Sequence, residues 1–342
     1  MMSRISVLGA GGWGIGLALV ASRMKHQVTL WSFDTAELED LRLHNQNRTR
    51  LPGVFLPHGM ALTGDMAVAA DADMIIMAVP SFAIRSTAKS LATHLRPGTV
   101  VVNAGKGLED GSLSRFSQVL SEELPTARVV VLSGPSHAEE VARQVPTMVT
   151  ASSEDMEAAR LVQDALSQDY FKIYLTGDLV GVELGGALKN VIALCSGIVD
   201  GLGMGDNAKA ALMTRGLAEI ARLGVRLGAE ERTFAGLSGM GDLMVTCGSM
   251  HSRNLRAGIL IGRGTPVEET IRQVGTVEGF LAARAAWELA CRHEVRMPIV
   301  KQCYLICYEG KDPRQAVSDL LKNTSGTEDE PLWNSENGYG AI

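Results

Sequence analysis

The stretch that most constrains this chain lies near its start. Gly9-Ala10-Gly11-Gly12-Trp13-Gly14 follows the apolar run Ile5–Leu8 and opens a helical stretch, Ile15–Ala21. Glycines at G-x-G-x-x-G spacing between a strand and a helix have separate tasks. The first permits a tight turn, the second lets a pyrophosphate approach bare backbone, and the third lets helix and strand pack closely. The helix N-terminus adds free N–H groups and the positive end of a dipole. The turn therefore predicts a dinucleotide site, with Gly9, Gly11, Gly12, Trp13 and Gly14 against the cofactor. A second strand ends at Ser32-Phe33-Asp34, and Asp34 stands twenty residues beyond Gly14, where an acid binds the adenosine ribose of NAD. No arginine lies beside it to meet a 2′-phosphate, whereas Arg48 and Arg50 follow in a loop that can. NAD is favoured on this reading, and NADP stays open.

The first 150 or so residues alternate β-type and helical runs, the pattern of a parallel sheet covered on both faces. Strands are expected at Ile5–Leu8, Val28–Trp31, Met74–Val79, Val100–Asn103 and Val129–Leu132, with weaker candidates at Thr147–Ala151 and Phe171–Leu175 around a helix from Glu154 to Ser167. From Gly181 onward the periods are helical and the breaks are glycine-rich. The expected fold class is thus an α/β Rossmann-type N-terminal domain, residues 1–180, followed by an all-α C-terminal domain, residues 181–321. Residues 322–342 are polar without a period and are expected to form a mobile tail. Thr265-Pro266 with Glu268, and Asp312-Pro313, read as helix starts.

Composition narrows the function classes. The 342 residues carry 32 basic and 38 acidic side chains, a net charge of −6 that argues against a nucleic-acid surface. The 37 glycines exceed ordinary usage of about 7% without a collagen period, which points to tight turns and close backbone approaches. Five cysteines with no C-x-x-C pair suggest neither a disulfide framework nor a zinc site. No apolar run reaches about 18 residues and no leader peptide is evident. The expectations are a cytoplasmic protein without membrane insertion and without a metal.

In an open parallel sheet the chemistry lies beyond the carboxyl ends of the strands. Val79-Pro80-Ser81, Asn103-Ala104-Gly105-Lys106-Gly107 and Ser133-Gly134-Pro135-Ser136 occupy those places. Lys106, on a glycine-cleared turn, is a site candidate rather than a solvated lysine. Ser136 with Glu139 reads as a capping box. In the apolar helix that begins near Gly181, Lys189 shares a face with Gly185, Gly186, Ala193 and Ser196. A lysine there is either functional or snorkels to water, and the residues alone leave both readings standing. Gly239-Met240-Gly241-Asp242 and His251-Ser252-Arg253-Asn254 add an acid, an arginine suited to bidentate phosphate binding, and an amide. His137 and His251 read as structural, and Arg215, Glu219, Arg222 and Arg226 as a solvated ion-paired face.

Taken together, GAGGWG, NRTRLPGVFLP, NAGKGL, SGPSHAEE, VELGGALKNVIAL, GMGDLMVTC, SRN, TVEG and MPI make the chain resemble NAD(P)-dependent glycerol-3-phosphate dehydrogenase of the soluble bacterial biosynthetic type, over residues 4 to 321. The resemblance implies a Rossmann domain, a helical domain of the 6-phosphogluconate dehydrogenase-like kind, a cleft between them and a homodimer. It implies Lys189 as general acid/base and Lys106 as the lysine touching both substrate and cofactor. It places Gly134, Ser136, Asp242, Ser252, Arg253 and Asn254 on the substrate, and Phe33, Ala138, Arg253 and Glu278 on the cofactor. The implied reaction is reversible hydride transfer between nicotinamide C4 and C2 of dihydroxyacetone phosphate or sn-glycerol 3-phosphate, supplying phospholipid synthesis. Phe33, where many relatives have arginine or histidine, and Arg50, where they often have tyrosine, depart from the pattern at the adenosine end. A hydroxy-acid dehydrogenase of the same superfamily need not keep Arg253. A non-catalytic dinucleotide sensor has no reason to gather Lys106, Lys189, Asp242 and Arg253.

Overall fold

A computed structural model describes residues 3–322. The expectation of a mobile tail falls on residues outside that range, except that Lys322 closes the last helix. The chain divides into two compact units, Met1–Gly186 and Ala187–Ile342.

The first unit is an eight-stranded sheet in the order β3-β2-β1-β4-β5-β6-β7-β8. Its strands are β1 (Arg4–Leu8), β2 (Gln27–Trp31), β3 (Ala61–Thr63), β4 (Met74–Met77), β5 (Val100–Asn103), β6 (Arg128–Ser133), β7 (Thr147–Ser152) and β8 (Phe171–Thr176). Between them run α1 (Gly12–Arg23), α2 (Thr35–His44), α3 (Met66–Ala70), α4 (Ile84–Ala92), α5 (Phe116–Glu123), α6 (Ala138–Ala142) and α7 (Met156–Leu166). Each central strand buries both faces. Ile5, Val7, Ile76, Val102 and Leu132 enter one apolar cluster, and Leu8, Ile75, Met77 and Val101 enter another across the sheet. Successive side chains alternate faces, so a doubly covered strand must be apolar throughout, which is why these runs were readable.

Two features depart from the expected parallel sheet. The three-residue β3 is an edge strand with no apolar run of its own. β7 pairs antiparallel with β6, Val131 opposite Ser152, whereas β8 is again parallel to β7.

Helix α8 (Leu179–Leu202) begins in the first unit and continues into the second. By length and hydropathy it could cross a membrane, yet its apolar window is wholly buried, as in the core helix of a folded domain. The second unit continues with α9 (Gly205–Arg226), α10 (Glu231–Phe234), a π-helical turn at Leu237–Gly241, α11 (Asp242–Gly248), α12 (Arg253–Gly262), α13 (Val267–Val274), α14 (Glu278–Arg292), α15 (Pro298–Glu309) and α16 (Pro313–Lys322). α8 and α12 meet backbone to backbone: a Cβ on Gly197 would stand 2.1 Å from the Leu255 carbonyl, and one on Gly258 2.1 Å from that of Leu194.

Of three local expectations, one holds and two are corrected. α13 starts at Val267 with Pro266 as N-cap and no side-chain capping bond, because the proline offers no side-chain acceptor and Thr265 lies one residue too early. The Asp312 cap forms as expected, accepting from the Gln315 N–H at 3.0 Å. Glu219 is not on a solvated face. It is 3% exposed and accepts from the N–H groups of Ile299 and Val300 at the start of α15.

Candidate active site

In the first unit the glycine turn has the geometry its spacing demands. Gly9 has φ +116°, and a Cβ there would lie 2.6 Å from the Ala78 carbonyl. A Cβ on Gly14 would lie 1.9 Å from the carbonyl of Gly9, so only glycine brings α1 this close to β1. Gly11, the N-cap, provides no side-chain bond to the first turn of α1, and a Cβ there would meet nothing within 4 Å. Open backbone beside uncapped N–H groups, at the point where strand order reverses between β1 and β4, fits the pyrophosphate of a dinucleotide. Ala138 stands beside the turn, its Cβ 3.6 Å from where one on Gly12 would be. The Trp13 indole donates to the Ala104 carbonyl at 3.2 Å and so ties the glycine turn to the segment bearing Lys106.

At the end of β2, Phe33 is 76% exposed. Asp34 caps α2, its Oδ1 accepting from the N–H groups of Ala36 and Glu37. Asn47 donates both to the Ala10 carbonyl and to Glu37, holding the following loop against the glycine turn. In that loop Arg48 pairs with Asp40 at 2.5 Å, and Arg50 is exposed.

Lys106 is half-buried on its turn beyond β5, with the Phe116 ring packed against both flanking glycines. Its Nζ donates to the Gly134 carbonyl at 2.7 Å and reaches the Ser136 Oγ at 3.5 Å. Ser136 itself donates to Gly134. The expected capping role of Ser136 is therefore corrected: α6 begins at Ala138 with His137 as N-cap, and the serine hydroxyl turns toward Lys106. On the first turns of α8, a Cβ on Gly186 would lie 2.5 Å from the Ser133 Oγ and 3.7 Å from Cγ of Lys106. Glu183, buried on the same helix, accepts from the Ser117 N–H and Oγ at 2.8 and 2.5 Å and from Arg115 at 2.7 Å. Burial pushes its carboxyl upward against the opposing pull of Arg115.

The second unit gathers the other group. Lys189 is buried, and its Nζ donates to Asp242 Oδ1 at 2.5 Å and to Thr246 Oγ1 at 2.6 Å. Asp242 follows the π-helical turn directly, so the irregular backbone delivers this acid to α8. A buried ammonium without a counter-charge is strongly unfavourable, and Asp242 supplies that charge. Ser252 caps α12 through the Leu255 N–H. Asn254 is buried, donates to Asn190 and accepts from the Gly279 N–H, so it links α8, α12 and the start of α14, where Glu278 stands. Arg253 lies exposed at the first position of α12. The structure thus brings Lys189 and Asp242 together in one unit, and Lys106, Gly134 and Ser136 in the other. The partners that sequence reading missed are Thr246, one helical turn after Asp242; Asn190, next to Lys189; and Glu183. Only the helical spacing of Thr246 from Asp242 offered a signal.

A pyrophosphate turn on a doubly wound sheet, with a buried lysine–aspartate pair in a helical unit, defines a dinucleotide-dependent dehydrogenase. Sequence comparison narrows the class. The N-terminal model of NAD-dependent glycerol-3-phosphate dehydrogenase matches residues 4–159 and its C-terminal model residues 178–318. The chain is 51% identical over 321 residues to the glycerol-3-phosphate dehydrogenase [NAD(P)+] of Desulfitobacterium hafniense, covering 94% of this chain and 91% of that protein. It is 51% identical over 324 residues to the Moorella thermoacetica enzyme of the same name, covering 94% and 96%. The crystal structure of glycerol-3-phosphate dehydrogenase from Coxiella burnetii superposes with a TM-score of 0.90 at 36% identity, over 94% of this chain and 99% of that one. The chain belongs to the NAD-dependent glycerol-3-phosphate dehydrogenase family.

Proposed function

We propose that this chain reversibly interconverts dihydroxyacetone phosphate and sn-glycerol 3-phosphate with NAD(H) or NADP(H), supplying glycerol 3-phosphate for phospholipid synthesis as a cytoplasmic homodimer. The observation that carries the reading is the buried Lys189, held by Asp242 and Thr246, in a chain whose other unit offers a pyrophosphate turn. Bound nicotinamide supplies the hydride at its C4. The Gly9–Gly14 turn and Ala138 hold the pyrophosphate half, and Phe33 and Asp34 face the adenosine half. Glu278 serves the cofactor too. Lys189 gives a proton to the oxygen on C2 during reduction and takes it back during oxidation, with Asp242 fixing the ammonium in place. Lys106, steadied by Gly134 and Ser136, carries a second positive charge to that developing oxyanion. Arg253 grips the phosphate bidentately, with Ser252 and Asn254 setting the start of its helix, and so orients C2.

The test is oxidation of NADH and of NADPH on addition of dihydroxyacetone phosphate. Turnover with either supports the reading. Turnover of a hydroxy acid instead, or cofactor binding with no turnover, selects one of the two rivals.

A further inference from the structure

We propose that Glu183 is a positioning residue for Lys189, fixing the seat of α8 from which that lysine is presented to the reacting carbon. The inference rests on the dehydrogenase reading above. Glu183 receives three hydrogen bonds from one short segment, Arg115–Ser117, and Arg115 also donates to the Ser117 hydroxyl at 2.8 Å, so acceptor and donors form a closed set. The same segment supports the other lysine. Phe116, between the two donors, lays its ring against Gly105 and Gly107 on either side of Lys106. One three-residue node therefore supports the Lys106 turn with its apolar member and seats α8 with its polar members.

The rest of the geometry removes slack. Gly186, one turn beyond Glu183, lies so close to Ser133 that a Cβ there would be 2.5 Å from the hydroxyl. Lys189 follows three residues later on an unbroken helix of 24 residues. Six residues of α-helix advance about 9 Å along the axis, so a shift at Glu183 reaches Lys189 nearly undiminished. An apolar contact would hold a helix as firmly, but a buried carboxylate with directional partners sets rotation and register as well. Displacing a reacting group by about 1 Å can cost about a hundredfold in rate.

The experiment compares wild type, Glu183→Gln, Ser117→Ala and the double variant in the full chain. It measures kcat and KM for dihydroxyacetone phosphate, the Kd for NADH by fluorescence titration, the pH profile of kcat, and Tm. Glu183→Gln is expected to lower kcat by about ten- to a hundredfold, with KM and the NADH Kd changed by less than about twofold, and to displace the limb of the pH profile that Lys189 sets. Ser117→Ala, which keeps the backbone donor and Arg115, is expected to lower kcat by about three- to tenfold and decides the matter alone if Glu183→Gln does not fold. The double variant should be no slower than the slower single one, because both changes open the same clamp. Wild-type kcat in folded variants overturns the proposal. So does a parallel decline of kcat, substrate affinity and NADH affinity with Tm at an unmoved pH profile, which marks a brace and nothing more. A wild-type chain that binds NADH but never reduces dihydroxyacetone phosphate overturns the dehydrogenase reading instead.

Discussion

Lys189 illustrates how far one residue type can be read before its partners are known. From sequence alone it was either a site lysine or one reaching for water, because periodicity shows the face a side chain occupies and not what stands opposite. The structure removes the second reading, for Lys189 is buried and bonded to Asp242 and Thr246, contributed by a segment more than fifty residues away. Two predictions belong at this scale. Lys189→Ala should lower kcat by about a hundred- to ten-thousandfold, the range for losing a general acid, while the NADH Kd measured by titration stays unchanged. Asp242→Asn keeps the shape but strands a buried ammonium, so unfolding free energy in urea should fall by about 3–5 kcal/mol along with kcat. Gly14 gives the contrasting case of a role fully legible in sequence. Gly14→Ala would put a methyl group 1.9 Å from the Gly9 carbonyl, and loss of NADH binding, read by the same titration, is the expected result.

At the level of elements, what was legible followed from local physics. The doubly buried strands β1, β4, β5 and β6 announced themselves because both faces had to be apolar, and the α1 turn because glycine spacing is dictated by backbone approach. What was illegible depended on partners. The sense of β7 shows only in its pairing with β6, which its own residues do not signal. Ser136 matched a capping pattern, but its hydroxyl donates to the Gly134 carbonyl and accepts from the Lys106 ammonium instead. Glu219 matched an ion-paired helical face and is instead buried against the start of α15. The glycine surplus was countable without showing where the glycines met. Two of them, Gly197 and Gly258, let α8 and α12 touch through their backbones, each leaving no room for a methyl group beside the facing carbonyl. Gly258→Ala should force the helices apart and destabilise the second unit by about 1–3 kcal/mol or more, the cost of overpacking, read as a lower urea midpoint. α8 also bears Lys189, so kcat should fall in that variant even at temperatures where it remains folded.

For the molecule as a whole, the burial of Glu219 makes a claim about pH. Most perturbed carboxylates here are held below their ordinary range by hydrogen-bonded partners: Asp155 by the Arg128 guanidinium, down to about 2, Asp73 by the backbone N–H of Arg4, and Glu109 by the Arg85 guanidinium. Such groups contribute stability above their unfolded pKa and lose it as pH falls through the native value, so they shape the acid side of the stability curve. Glu219 acts in the opposite direction. Burial raises its carboxyl to about 7, with the N–H groups of Ile299 and Val300 and the charges of Arg222 and Arg215 only partly offsetting it. Between its unfolded value near 4.5 and about 7 the native state retains a proton that the unfolded state has released, so unfolding free energy must decrease as pH rises across that window. The full shift corresponds to roughly 3 kcal/mol, at about 1.4 kcal/mol per pH unit. Urea unfolding of the whole chain at intervals from pH 5 to pH 8 should therefore show a falling midpoint, and Glu219→Gln should flatten that slope whatever it does to the absolute level. A wild-type slope that survives the substitution would place the titrating group elsewhere. Glu183, also raised by burial but in the first unit, adds a slope of the same sign to the unfolding of the sheet, so the part of the slope that Glu219→Gln removes should belong to the unfolding of the second unit.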